Sequence, residues 1–363
     1  MVDTKDPMTP TMAWIRSDLM EDPRVHKRGA LGMRAGRRGG TGEETGHHQP
    51  PPPQNSLTRL SLSSYEIWTS WSSYSWTKVT YSSHLGPILS SLGIDVYCVD
   101  LLGWGYTQLD PSVLSYSARA KVEALRGLWE VVGGNGEVVV GGASLGGAAV
   151  IEYAADVLRR GDDNDYGIGG DFVRGTVLID AQGFVDGIGP MSYLPAPIAR
   201  LGIRVLKSEP LRSSANRMSY YDVESYATED ALRVGRLHTL REGWEDGMLS
   251  FMRSGGFRPR EKVPTIGVPT LVLWGRQDGI LDGEEYANMF VNGMPDATLR
   301  WIEECGHVPH LEQPETTARH IADFLMSEGA RPSRRGGSTS SASRKRASAT
   351  GGNILEGIFR FLN

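Results

Sequence analysis

Residues 137–153 read EVVVGGASLGGAAVIEY. A valine run of the kind that fills a buried strand meets Ser144, with Gly142 two residues before it and Gly146 two after. A helical pattern then begins. A strand that turns sharply into a helix brings the two close together, so the flanking positions have to be small. Gly142, Gly146, Gly147 and Ala148 meet that demand. Such a corner lifts the serine hydroxyl above the end of the strand. It also sets the hydroxyl beside the first N–H groups and the positive dipole end of the helix. Taken alone, a G-x-S-x-G of small residues decides little.

The surrounding chain supplies the context. IDVYCVD (94–100), EVVV, VRGTVLID (173–180), TLVLWG (270–275) and ATLRWIEE (297–304) read as short buried strands. Between them SYSARAKVEALRGLWEVV, LGGAAVIEYAADVLRR, EEYANMFVNGM and ETTARHIADFLMSEG carry apolar residues at helical spacing. Strand and helix in alternation predict an α/β fold, a mostly parallel sheet with helices on both faces. The alternation lapses over residues 183–266, where PAPIARLGIRVL, SYYDVESYATEDALRVGRLHTL and GWEDGMLSFMRSG read as helices. That stretch is predicted to be a helical cap inserted over the C-terminal edge of the sheet.

The rest of the chain bounds the function. At 363 residues it is long enough for one large α/β domain with an insertion. A net charge of −5 gives no general pull toward nucleic acid or an anionic membrane. No apolar run reaches the length of a membrane span. Cys98 and Cys305 are the only cysteines and form no ligand cluster, which argues against a disulfide framework or a structural zinc site. A reducing, cytoplasmic setting is the expectation, with an organelle such as the plastid as the alternative if the N-terminal residues are not the true ones.

Residues 1–57 are rich in Gly, Pro and charge and are predicted to be disordered, which leaves the adjacent His47 and His48 without a frame to hold a metal. The α/β domain is read as 58–329. Residues 330–363 form a basic, Ser-rich tail that ends in NILEGIFRFLN, a candidate short helix.

A serine needs a base, and the base needs an acid to fix its tautomer. TLVLWGRQDGILD places Asp278 in the loop after one strand, and RWIEECGHVPHLEQPE places His307 after the last. The order Ser, Asp, His suits this topology. Asp282 lies in the same loop as Asp278 but opens the next helix, where it reads as a cap. Asp100 reads as steering its own glycine-rich turn. Cys305 reads as a small buried residue, and His238 as a polar filler of the cap that could face substrate.

Together these residues resemble the α/β-hydrolase fold family in its form with a helical cap. The resemblance spans residues 85–328 and rests on DLLGWGYT (Asp100, Gly103, Gly105, Thr107), GGASLGG, WGRQDGIL and GHVPHLEQPE. It implies a triad of Ser144, Asp278 and His307, with the Leu145 backbone N–H as an oxyanion donor and no metal or organic cofactor. Gly-His followed by Pro-His-Leu-Glu-x-Pro marks His307 rather than His310 as the catalytic histidine. Some members carry the acid at the position of Asp180. Serine at the elbow implies chemistry on a small-molecule ester or related acyl bond, with an apolar acyl group suggested by the Leu, Ile, Met and Tyr of the cap. An acyltransferase or a cofactor-free perhydrolase would use the same triad.

One part of the family pattern is missing. Members usually carry an apolar strand and a His-Gly loop 25–30 residues before the position of Asp100, and that loop gives the second oxyanion N–H. Here the place falls near WSSYSWTKV, inside the Ser/Trp-rich stretch 58–83, with no His-Gly and no strand-like run before it. Either this stretch is not the gene's true product, or the protein is a divergent member with an impaired oxyanion hole, kept as a binding scaffold.

Overall fold

Along β3 (Glu137–Ala143), Val138 and Val140 point into one apolar cluster while Val139 and Ala143 point into another. The same alternation holds in β4 (Phe172–Ile179), with Leu178 on one side and Val177 and Ile179 on the other, and in β5 (Thr270–Gly275), with Val272 and Trp274 against Leu271 and Leu273. A strand with both faces apolar has to be covered on both sides, which is why these runs lack the polar alternation of a half-solvated sheet. Burying each of these large side chains contributes about 1.5–3 kcal/mol.

The computed structural model describes residues 85–105, 107, 109, 115–132, 137–162 and 172–329, together with the backbone of 64–70. With β1 (Ser64–Ser70), β2 (Asp95–Asp100) and β6 (Ala297–Ile302), the strands form a six-stranded sheet in the order β2-β1-β3-β4-β5-β6. Every neighbouring pair is parallel. α1 (Leu85–Ser91) and α11 (Pro314–Gly329) cover one face. α2 (Ala118–Val132), α3 (Leu145–Asp162) and α9 (Gly283–Gly293) cover the other. Strand and helix ends differ from the sequence reading by a few residues. α3, for example, runs through Gly161 to Asp162.

β1 corrects the sequence reading, which finds no strand before WSSYSWTKV. Its SYEIWTS pairs on both sides, Ile67 opposite Tyr97 of β2 and opposite Val140 of β3. A parallel ladder is built from backbone groups, and Tyr, Ile, Trp and Thr are good strand formers even when serines flank them and blur the apolar run. The expected oxyanion loop, near WSSYSWTKV, lies outside the described residues, as do the N-terminal segment 1–57 and the tail 330–363.

Between β4 and β5 come α4 (Ala196–Leu206), α5 (Glu209–Met218), α6 (Val223–Tyr226), α7 (Glu229–Leu237) and α8 (Trp244–Arg253). α4 packs on α8 and α5 on α7. The single long helix read over residues 219–240 is broken, and α5 is an element that the reading lacks. Asp222 and Thr228 break it: each side chain accepts the N–H three residues on, Ser225 at 3.0 Å and Ala231 at 3.2 Å, and so starts a new helix.

The glycine-rich turn after β2 is tied from within. Thr107 Oγ1 donates at 2.7 Å to the Trp104 carbonyl and accepts the Gly103 N–H at 3.0 Å. The Asp100 carboxyl packs directly under Gly105, in keeping with the expected role in its own turn. Lys121 of α2 is fully buried beneath this turn, where its Nζ donates to the Leu102 carbonyl and lies 4.2 Å from the centre of the Trp104 ring. Burial alone pushes this ammonium well below the usual lysine range.

Candidate active site

The sheet ladder runs one residue past the ends of β3 and β4. The Ser144 N–H donates to the Ile179 carbonyl at 2.9 Å, and the Asp180 N–H to the Leu273 carbonyl at 2.9 Å. Both residues then leave the strand with left-handed backbone, Ser144 at φ 51° and Asp180 at φ 42°. For a residue with a Cβ this conformation costs on the order of 1–3 kcal/mol, which the packing around it has to over-determine. The Ser144 carbonyl accepts the N–H of Gly147 at 3.0 Å and of Gln182 at 2.9 Å, which fixes the corner against the loop after β4. A Cβ on Gly147 would lie 2.3 Å from the Ala181 Cβ. This is the close approach that the small residues around the elbow anticipate. Leu145 is the first residue of α3, so its N–H is among the first-turn donors that no helical carbonyl can reach.

Asp278 follows β5 by three residues, and His307 follows β6 by five. Two glycines let their loops meet. A Cβ on Gly275 would lie 1.9 Å from the Gly306 carbonyl oxygen, so β5 can end there only in glycine. Gln277 then bridges the loops, its N–H donating to the Cys305 carbonyl at 2.9 Å and its Oε1 accepting the Cys305 N–H at 3.0 Å. The outcome is a close pair: His307 Nδ1 lies 2.8 Å from Asp278 Oδ2, with the Asp278 side chain fully buried. Asp278 Oδ1 accepts the N–H groups of Ile280 at 2.7 Å and Leu281 at 3.0 Å. Burial would raise this carboxyl. The charge and hydrogen bond of His307 and the two N–H groups outweigh that, and hold it below the usual carboxylate range.

The other candidates fall elsewhere. Asp282 caps α9 by accepting the Glu285 N–H at 3.0 Å, as the sequence suggests. Cys305 is fully buried, and burial followed by the nearby Glu312 charge pushes its thiol well up, away from reactivity. His310 is buried in α10 (Pro309–Glu312). His238 is buried edge-on to Trp244, and burial with the charges of Arg212 and Arg241 pushes it down to about 4. Asp180, weighed as an alternative acid, is not hydrogen-bonded to His307, whose partner is Asp278.

Glu312 is a residue of the site that the sequence reading quotes within its motif without giving it a role. It is buried and accepts three backbone N–H groups: Gly306 at 2.7 Å, Asp222 at 2.7 Å and Tyr221 at 3.2 Å. The His307 N–H donates to the Ser219 carbonyl at 2.8 Å. The histidine loop is therefore docked on the turn between α5 and α6. No local signal marks this role, because the Tyr221 and Asp222 donors lie 91 and 90 residues away in the chain.

Asp180, Asp278 and His307 bring one ligand atom each within 4.8 Å of the others. His307 Nδ1 and both Asp278 oxygens already have partners, so a metal there would have to break the hydrogen bonds that orient the pair.

A parallel sheet with a strained serine corner after one strand and an acid–histidine pair beyond two others defines an α/β-hydrolase. The chain belongs to that family: the model of the alpha/beta hydrolase family matches residues 67–320, and it begins inside β1. The chain is 30% identical over 238 residues to the alpha/beta hydrolase domain-containing protein VTE7 of Arabidopsis thaliana, covering 66% of this chain and 68% of that protein. It is 25% identical over 256 residues to 2-hydroxy-6-oxononadienedioate/2-hydroxy-6-oxononatrienedioate hydrolase 1 of Dechloromonas aromatica, covering 68% and 80%. Among solved structures, a serine hydrolase involved in carbazole degradation superposes with a TM-score of 0.55 at 21% identity, over 73% of this chain and 91% of that one. Its class is thus that of a hydrolase. No helix among the described residues is long and apolar enough to cross a membrane.

Proposed function

We propose that the protein is a serine hydrolase that cleaves an ester or related acyl bond of a small molecule. Ser144 attacks the carbonyl carbon. His307, with Nδ1–H held by Asp278, takes the serine proton on Nε2 and returns it to the leaving group. The Leu145 N–H stabilises the oxyanion, and water then resolves the acyl-enzyme by the same route in reverse. The observation that carries this reading is the 2.8 Å contact between Asp278 and His307, on the sheet edge where Ser144 leaves β3 at φ 51°.

The helices between β4 and β5 serve as the cap that shapes the substrate pocket. Only some of the apolar residues that suggested an apolar acyl group are committed to packing: Met248, Leu249 and Met252 of α8 are buried in the core, whereas Ile198 and Leu201 of α4, Leu237 and Leu240 are exposed.

The test is hydrolysis of a series of p-nitrophenyl esters of rising chain length by wild type and Ser144→Ala. Turnover by the wild type that is lost in the variant is the expected result. Full activity in Ser144→Ala would overturn the assignment.

A further inference from the structure

The triad reading leaves one carboxyl at its centre without a role. Asp180 is completely buried and directly follows β4, on the sheet edge between Ser144 and the Asp278 loop. Its Oδ1 accepts the Gly275 N–H at 3.0 Å. Its Oδ2 is also buried, and no N–H or O–H of another residue reaches it. Asp278 faces it: Asp180, Asp278 and His307 each bring a side-chain ligand atom within 4.8 Å of the others. Two buried carboxyls this close resist ionising together, so the pair favours holding one proton.

The partners decide which acid holds the proton. Asp278 has His307 Nδ1 on one oxygen and two backbone N–H groups on the other, all of which favour the anion. Asp180 has a single N–H. The remaining ionisable neighbours, Glu312 of α10 and the Cys305 thiol, supply no positive charge.

We propose that Asp180 is a positioning residue of the active site, donating an O–H from Oδ2 to Asp278 so that Asp278 stands as the single oriented anion behind His307. This role rests on the triad reading. Burial first, and the Asp278 charge second, push Asp180 well above the usual carboxylate range, while the Gly275 N–H opposes them. The donated hydrogen bond limits rotation of the Asp278 carboxylate, so that Oδ2 keeps facing Nδ1. It also spreads the charge that His307 feels.

The test is the rate at which a fluorophosphonate probe labels Ser144, followed against pH, in wild type, Asp180→Asn and Asp180→Ala. The probe reads the nucleophile without knowledge of the substrate. Asparagine keeps an acceptor for Gly275 and an N–H for Asp278 without adding or removing charge. Its labelling rate and the acid limb of its pH profile are expected to stay with wild type. Alanine removes the donor, and its rate is expected to fall by about 10- to 100-fold, the scale of a misplaced catalytic group. Its acid limb is expected to move up as Asp278 binds the imidazolium more tightly.

If Asp180 were instead an anion, Asp180→Asn would delete a negative charge beside His307 and move the acid limb down by about one unit or more. That result overturns the proposal, as does a folded Asp180→Ala with wild-type rate and profile. Should the alanine variant not fold, the position of the asparagine limb decides. A wild type that does not label at all overturns the triad itself, and this role with it.

Discussion

Glu312 Oε2 accepts the Gly306 N–H at 2.7 Å, one residue before His307, and the same carboxylate binds the turn at Tyr221 and Asp222. One side chain thus joins the histidine loop to the helical insertion. Truncation would strip the buried Gly306 N–H and the part-buried N–H groups of Tyr221 and Asp222 of their acceptor. Glu312→Ala is expected to lower unfolding stability by about 3 kcal/mol, since charged hydrogen bonds and stranded donors are both lost. Esterase turnover is expected to fall as well, because His307 loses the anchor next to it. Glu312→Gln turns an amide NH2 toward backbone donors and rescues only in part. Urea unfolding together with activity on a p-nitrophenyl ester checks this. An alanine variant of wild-type stability would refute the clamp.

The two aspartates of the β5–α9 loop separate cleanly by substitution. Asp278→Asn keeps the shape of the pair but lets the amide favour the wrong imidazole tautomer, so kcat is expected to fall by about 10⁴-fold with the fold intact. Asp282→Ala removes the cap of α9 and is expected to cost about 1 kcal/mol of stability with turnover unchanged. Steady-state kinetics and thermal melts on both variants read the difference. The reverse pattern would move the acid to Asp282.

Much of this was legible in the sequence because the elements that carry it are locally determined. A strand with both faces buried must be apolar throughout, so β3 and β5 announce themselves, and the small residues after Val140 announce the corner at Ser144. Asp282 is readable as a cap for the same local reason. β1 was hidden because its place in the sheet comes from backbone pairing with β2 and β3, which side-chain hydropathy does not report. The break at Asp222 and Thr228 hinges on side-chain-to-backbone bonds that compete with a helix of good amphipathic pattern. The roles of Asp180 and Glu312 are products of tertiary contact. Asp180 finds its donor 95 residues away at Gly275, and Glu312 joins the nearby Gly306 to Asp222, 90 residues away, beyond the reach of any local pattern.

His238 makes the stability of the protein acid-sensitive. Its imidazole is held neutral, with a folded value pushed down to about 4 against 6.5 for the free side chain. Between those values the unfolded chain binds a proton that the folded chain does not, so stability rises with pH across the window. It is complete above about 6.5 and is lost as pH falls toward 4, by about 3 kcal/mol in all. His238→Gln removes this dependence. Urea midpoints from pH 4 to 7 should show the wild-type slope flattened in the variant, and parallel curves would refute the assignment.

Asp180 imposes the opposite slope. With its folded value raised, the folded chain keeps a proton that the unfolded chain gives up near pH 4. This contribution is fully present below the unfolded value and declines as pH rises toward the folded one, by about 1.4 kcal/mol per pH unit. Asp180→Asn carries no such penalty, because its amide is neutral in both states. The variant is therefore expected to gain on wild type steadily as pH rises from about 4.5 toward neutrality. Unfolding free energies of the two proteins across that range are the measurement. A constant difference would mean that Asp180 is ionised in the folded protein and that the proton between the two acids is absent.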